Sequence, residues 1–208
     1  MKKVIVFIAV SCIFLSSFTH KNDEWISLFD GKTLNNWKVG ENGSSFSIEN
    51  GTIKVNGETA HLFYNGEVQQ HNFKNFEFKA DVMTLPGSNS GIYFHTGFQQ
   101  GGWPEKGYEV QVNNSHTDWR RTGSLYGIKD VKETYVKDNE WYTEYIKVEG
   151  KHVIIKINDK TVVDYTEPEN IEKERGNSLR KVSSGTFALQ AHDPKSTIYY
   201  KNIMVKPL

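Results

Sequence analysis

The stretch "GYEVQV", Gly107 to Val112, sets a carboxylic acid and an amide two residues apart, Glu109 and Gln111, in a run otherwise built of Val and Tyr. Successive side chains on a strand point to opposite faces, so Tyr108, Val110 and Val112 share one side while Glu109, Gln111 and Asn113 share the other. Two further runs divide in the same way. In "GIYFHT", Ile92 and Phe94 oppose Tyr93 and His95; in "GTFALQAHD", Phe187, Leu189 and Ala191 oppose Ala188, Gln190 and His192. Strands that lie near one another in a sheet would pool Glu109, Gln111, His95, Gln190 and His192 on one polar surface. Tyr93, Tyr126, Trp103 and Trp119 are then candidate walls.

Amides and imidazoles bond hydroxyl groups, aromatic rings stack on the apolar faces of pyranoses, and a carboxyl beside an imidazole can move protons, so this surface suits a polyhydroxylated ligand. Glu109 is the strongest single candidate. A carboxylate flanked by Val and Tyr reads as part of a central strand, where an unpaired charge is expensive. A lone His at a strand end is commonly structural, and Gln111 and Gln190 also have the plain reading of bonds across the sheet.

The elements that must position these groups read as strands throughout. "FEFKADV" sends Phe76, Phe78, Ala80 and Val82 one way and Glu77, Lys79 and Asp81 the other. Turn signals at Asn50-Gly51, Glu149-Gly150 and Asn158-Asp159 predict hairpins, hence antiparallel sheets. No long stretch carries helical spacing. Glu167 to Lys181 is charged on all sides and predicts a solvated loop with one short helical turn. Trp37 and Trp141 are assigned to the core. The expectation is all-β: a β-sandwich of two antiparallel sheets in one domain, residues 20–208.

Lys2 and Lys3, the apolar run Val4 to Leu15 and the small residues Ser16 to Thr19 have the layout of a secretory signal peptide over residues 1–19. Export to the periplasm or cell surface follows as an expectation. The one cysteine, Cys12, lies in that run, so the remainder has no disulfide. "AVSC" loosely resembles a lipoprotein cleavage site, and lipidation at Cys12 is the alternative that would tether the chain to a membrane. The 25 basic and 25 acidic residues cancel with no basic block, which argues against a nucleic-acid partner.

"LFDGKTLNNW", "NSGIYFHT", "YEVQV", "GSLYGI", "EWYTEYIKVEGKHVIIKIND" and "GTFALQAHDPKSTIYYKNIMVKPL" occur in that order. Together they resemble the 3-keto-disaccharide hydrolase domain family over almost the whole chain beyond the leader. The resemblance implies a concanavalin A-like jelly roll with a ligand on its concave face, and a hydrolase or lyase acting on 3-keto-glycosides supplied by a sugar-oxidising oxidoreductase. Similar sandwich glycosidases carry alternating acids on one strand. Here Gln111 stands where a second acid would, which disfavours plain two-carboxylate hydrolysis.

On that resemblance the catalytic candidates are Glu109 and His192. The substrate-binding candidates are His95, Gln111, Gln190, Tyr93, Tyr126, Trp103 and Asn89, the residue that opens "NSGIYFHT". A divalent metal is a further possibility, with His95, Glu109 and His192 as ligands. The alternatives are a non-catalytic carbohydrate-binding module and a conventional glycosidase recruiting Asp118, Asp130 or Glu133 as its second acid.

Overall fold

A computed structural model describes residues 24–171 and 178–208. The expected leader over residues 1–19, with Cys12, and residues 172–177 of the charged stretch from Glu167 to Lys181 lie outside the described residues. The strands are β1 (Ile26–Ser27), β2 (Trp37–Val39), β3 (Phe46–Glu49), β4 (Thr52–Val55), β5 (Ala60–Tyr64), β6 (Phe76–Thr84), β7 (Ser90–Thr96), β8 (Tyr108–Val112), β9 (Tyr142–Glu149), β10 (His152–Ile157), β11 (Lys160–Thr166), β12 (Thr186–Ala191) and β13 (Ile198–Pro207). One sheet runs β11-β10-β9-β6-β13-β4-β3, with β1 added at β13, and the other runs β2-β5-β12-β7-β8. Every pairing within them is antiparallel.

The turns explain the hairpins. Asn50 and Gly51 both take positive φ, 50° and 76°, as a tight turn between β3 and β4 demands. The β9–β10 turn falls one residue later than the sequence signal, at Gly150 and Lys151, and Asn158 turns β10 into β11.

In the larger sheet the alternation is literal. β6 is buried at Phe76, Phe78, Ala80 and Val82 and half-buried at the residues between. The second sheet is buried on both faces: β7, β8 and β12 have no exposed residue. One face packs on the larger sheet, where the Phe187 ring centroid lies 4.7, 4.9 and 4.6 Å from those of Phe73, Phe76 and Phe78. The other face carries the polar residues and is walled by Trp103 and Pro104 after β7, Asp118 and Tyr126 after β8, and Arg180 ahead of β12. Trp37 is buried as expected; Trp141 is not core, being 39% exposed with Lys201 Nζ 3.9 Å from its ring centroid.

Candidate active site

Strand pairing builds the site. β8 lies beside β7, and β7 beside β12. Register sets Tyr93 opposite Glu109 on one side and Ala188 on the other, so Ala188, Tyr93 and Glu109 form one row across the sheet. Glu109 Oε2 accepts a hydrogen bond from Tyr93 Oη at 2.9 Å, and Oε1 accepts one from Gln190 Nε2 at 3.0 Å. Gln190 Nε2 also reaches Tyr93 Oη at 3.1 Å. On the far side Gln111 Nε2 donates to Asn89 Oδ1 at 2.6 Å.

These residues floor a cavity of about 300 Å³. Trp103, Pro104, Tyr126, Asp118, Arg180 and His192 complete its lining. The volume is at the lower end of the range for small-molecule sites and fits one sugar ring. Gly91, between β8 and β12, keeps the floor open: a β-carbon there would strike the Glu109 carboxyl.

Glu109 is the chemically perturbed group. Burial raises its pKa from 4.5 to about 7, opposing the hydrogen bonds from Tyr93 and Gln190 and the charge of Arg180, which favour the ionised form; Asp118 adds to the rise. A carboxyl poised near neutrality can both take and return a proton. Burial and then the Glu109 charge raise the Tyr93 hydroxyl well above its ordinary value, so Tyr93 stays a donor.

At the rim, His192 Nδ1 lies 2.8 Å from Asp193 Oδ2. A carboxylate only accepts, so Nδ1 carries the proton and Nε2 is left for the ligand. Trp103 stands between His192 and His61, with ring centroids 5.5 and 5.6 Å away. Arg180 is held by its Nη2 bond to Tyr126 O at 2.6 Å.

The sequence placed most of these residues correctly on one face, and it misplaced His95. Its φ is +55°, the β12–β7 register slips between Thr186 and Ala188, and the alternation breaks there. The His95 ring turns into the core beside Phe76 and Phe94, at 5.6 and 5.3 Å. Its Nε2 lies 2.9 Å from Lys74 O, and its Nδ1 accepts from Ser183 N at 3.0 Å. Burial lowers its pKa to about 4, so it is a neutral structural pin and not part of the cavity.

The metal set His95, Glu109 and His192 therefore does not assemble. Among the described residues no three His, Cys, Asp or Glu side chains converge as a metal would require. Trp119 is also off the cavity, lying outside under Arg120 and Lys132. Of the loop acids only Asp118 reaches the lining; Asp130 Oδ2 is 3.3 Å from Arg120, and Glu133 is bonded to Tyr135.

Arg180, His61, and His116, whose ring centroid lies 5.7 Å from that of His192, were not found from sequence. Arg180 sits in a charged stretch with no pattern to single it out. His61 is flanked by apolar residues of β5, and its alternation partner on the same face is Phe63, so it reads as core.

A 3-keto-disaccharide hydrolase of Bacteroides thetaiotaomicron is 31% identical over 69% of this chain and 59% of its own length, so the chain spans under two thirds of that relative. Among solved structures, a Parabacteroides distasonis protein described as a glycosyl hydrolase candidate superposes with a TM-score of 0.73 at 24% identity, covering 88% of this chain and 94% of its own. The carbohydrate-binding module CBM66 of Bacillus subtilis superposes with a TM-score of 0.59 at 14% identity, covering 82% and 95%. Both likenesses give the sandwich fold. Residues 24–206 match the family described as the 3-keto-alpha-glucoside-1,2-lyase-like domain, and the chain belongs to that family.

Proposed function

We propose that this chain is an exported carbohydrate-active enzyme that cleaves 3-keto-glycosides by elimination followed by hydration. The observation that carries the reading is Glu109: one buried carboxyl with a pKa of about 7, on the floor of a cavity of about 300 Å³, with an amide where a second acid would be needed.

A ketone at C3 acidifies the hydrogen on C2. The Glu109 carboxylate takes that proton, and the C–H electrons form the C2–C3 enolate. Arg180, the cation on the cavity wall, is placed to offset the charge that develops on the ketone oxygen. Collapse of the enolate restores the ketone, forms the C1–C2 double bond and breaks the bond from C1 to the leaving oxygen. The protonated His192 imidazole supplies that oxygen with its proton. Water then adds across C1–C2, its oxygen going to C1 and its proton to the His192 imidazole, while Glu109 returns to C2 the proton it took, and the sum is hydrolysis. No oxocarbenium ion is needed, so one base suffices where direct hydrolysis uses two carboxyl groups. The substrate itself has to come from an oxidoreductase acting on the C3 hydroxyl of a glycoside.

Matched glycosides, with and without oxidation at C3, test this in a product assay with the wild type and Glu109→Gln. Cleavage restricted to the keto member and lost in the variant is expected. Release of sugar from the unoxidised member would instead favour conventional hydrolysis with Asp118 as second acid. Binding without any product would make the cavity a sugar-binding site only.

A further inference from the structure

We infer that Trp103 is the platform for the leaving group, so that the site selects glycosides whose leaving alcohol carries a ring with an apolar face, a second pyranose or a non-sugar ring, over those that release a small alkanol. The inference rests on the reading of this cavity as a site of glycoside elimination. It names the part of the substrate that reading leaves unassigned.

A cavity of about 300 Å³ holds one sugar ring, so the leaving group lies at its mouth. His192 marks the place. Its Nδ1 is tied to Asp193, and the leaving oxygen has to come within reach of its Nε2. Among the described residues the rings beside His192 are those of Trp103, at 5.5 Å with planes 44° apart, and His116, at 5.7 Å. A leaving ring is one bond from the oxygen at His192, and the indole is the broad apolar surface it is offered there.

The other aromatic rings at the site are engaged. Tyr93 is buried in the floor, and Tyr126 has the Arg120 guanidinium 4.7 Å from its ring centroid. Trp103 lines the cavity and is still 49% exposed, so a ligand can reach it. Covering that surface with an apolar ring face removes both from water, as stacking on tryptophan does.

The loop between β7 and β8 fixes the indole before anything binds. Gln99 clamps it: Nε2 donates to Gly101 O at 2.6 Å and to Trp103 O at 2.9 Å, and Oε1 accepts from Glu105 N at 3.3 Å. The loop is also fastened to the segment after β2, with Gly102 N donating to Glu41 Oε1 at 3.0 Å and Gln100 Nε2 to Gly40 O at 3.1 Å. Gly40 permits that approach, since a β-carbon there would strike the Gln100 carbonyl. The His61 ring meets the indole nearly at right angles, with centroids 5.6 Å apart. A ring ordered in advance loses little further freedom when a ligand stacks on it.

The test measures kcat/KM of the full chain, as wild type, Trp103→Ala and Trp103→Tyr, on three 3-keto-glucosides that share a glycone and release methanol, cyclohexanol or glucose. All three leaving groups are alkanols that need a proton from the acid, so a disturbance of His192 lowers the three together and cancels in their ratios. Trp103→Ala should lose at least about tenfold more on a ring-bearing substrate than on the methyl glycoside, the scale of a lost ring stack. Trp103→Tyr keeps a ring and should recover most of that difference, which a merely structural role would not produce. Selective loss on the disaccharide alone identifies a sugar as the leaving group; selective loss on the cyclohexyl glycoside, with or without the disaccharide, identifies any apolar ring. Equal losses on all three, or no loss on any, overturn the inference. If the wild type cleaves none of them, it is the proposed reaction that fails. Calorimetric titration of the unoxidised methyl, cyclohexyl and glucosyl glucosides then decides the inference by the same comparison, and no binding by any of them overturns it.

Discussion

Glu109→Gln keeps the shape of the side chain and deletes one titration, which isolates what the buried carboxyl costs the fold. In the unfolded chain this carboxyl titrates near 4.5, and in the folded protein at about 7. Between those values the folded protein holds a proton that the unfolded chain has released, so stability falls as pH rises from 4.5 to about 7 and the loss is constant above. At about 1.4 kcal/mol per pH unit the full loss is about 3 kcal/mol. The variant does not suffer it. Urea denaturation of both proteins at pH 4 and pH 8 should therefore show the stability of the wild type, relative to Glu109→Gln, dropping by about 3 kcal/mol between the two. In a chain of this size that corresponds to about 6–12 °C in Tm. Other buried groups that titrate, Glu144, His61 and His95, are present in both proteins and cancel. Any change in the hydrogen bonds to Tyr93 and Gln190 displaces the two curves without altering the pH dependence of their difference. Parallel pH curves would mean that Glu109 is hydrated with an ordinary carboxyl pKa, and the argument for a neutral-pH base would fall with it.

Four other outcomes follow from the same structure. With Glu109 as the base, kcat/KM for a 3-keto-glycoside has a rising limb centred at about 7, and the loss of the acid's proton gives any falling limb; the absence of a rising limb there would refute the role. Gly91→Ala puts a methyl group against the Glu109 carboxyl, and should lower kcat/KM by at least about 100-fold while costing about 1–3 kcal/mol in denaturation, as overpacking does; full activity would show that the carboxyl need not lie where it does. Glu144 is fully buried with both carboxyl oxygens unpartnered, so Glu144→Met should raise the urea midpoint at pH 8, by about 1–3 kcal/mol in stability; a destabilised variant would reveal a partner for that carboxyl. Activity should survive exhaustive chelation, because the cavity lining lacks a convergent set of three metal donors among the described residues; loss restored by one divalent ion would refute this.

The fold was legible because its signals are local. Period-two burial in β6 and β9 needs only one face toward a core, and Asn50-Gly51 specifies its own turn. The site was legible only where alternation holds. Glu109, Gln111 and Gln190 lie on regular stretches of β8 and β12, so their faces followed from counting. His95 did not, because a residue at φ +55° rotates out of register. Its cause is tertiary: the backbone of Phe94 and His95 is pressed closely by Gly107 and Gly185, where a β-carbon would collide. Two glycines from distant segments thus set the conformation of a histidine, and nothing within "GIYFHT" encodes it.

That displacement bears on the chemistry. With His95 removed to the core and Gln111 an amide that donates to Asn89, the floor of the cavity holds one group able to exchange a proton near neutral pH. Tyr93 cannot serve, since its proton is held toward Glu109 and its pKa is driven up. The second proton carrier has to come from the rim, where His192 is oriented by Asp193. In the proposed elimination Glu109 on the floor would act as the base at C2 and His192 at the rim as the acid at the leaving oxygen. A single buried carboxyl with an imidazole at the rim supplies the base and acid that elimination needs, whereas displacement by two carboxylates on one strand would need an acid at the position of Gln111.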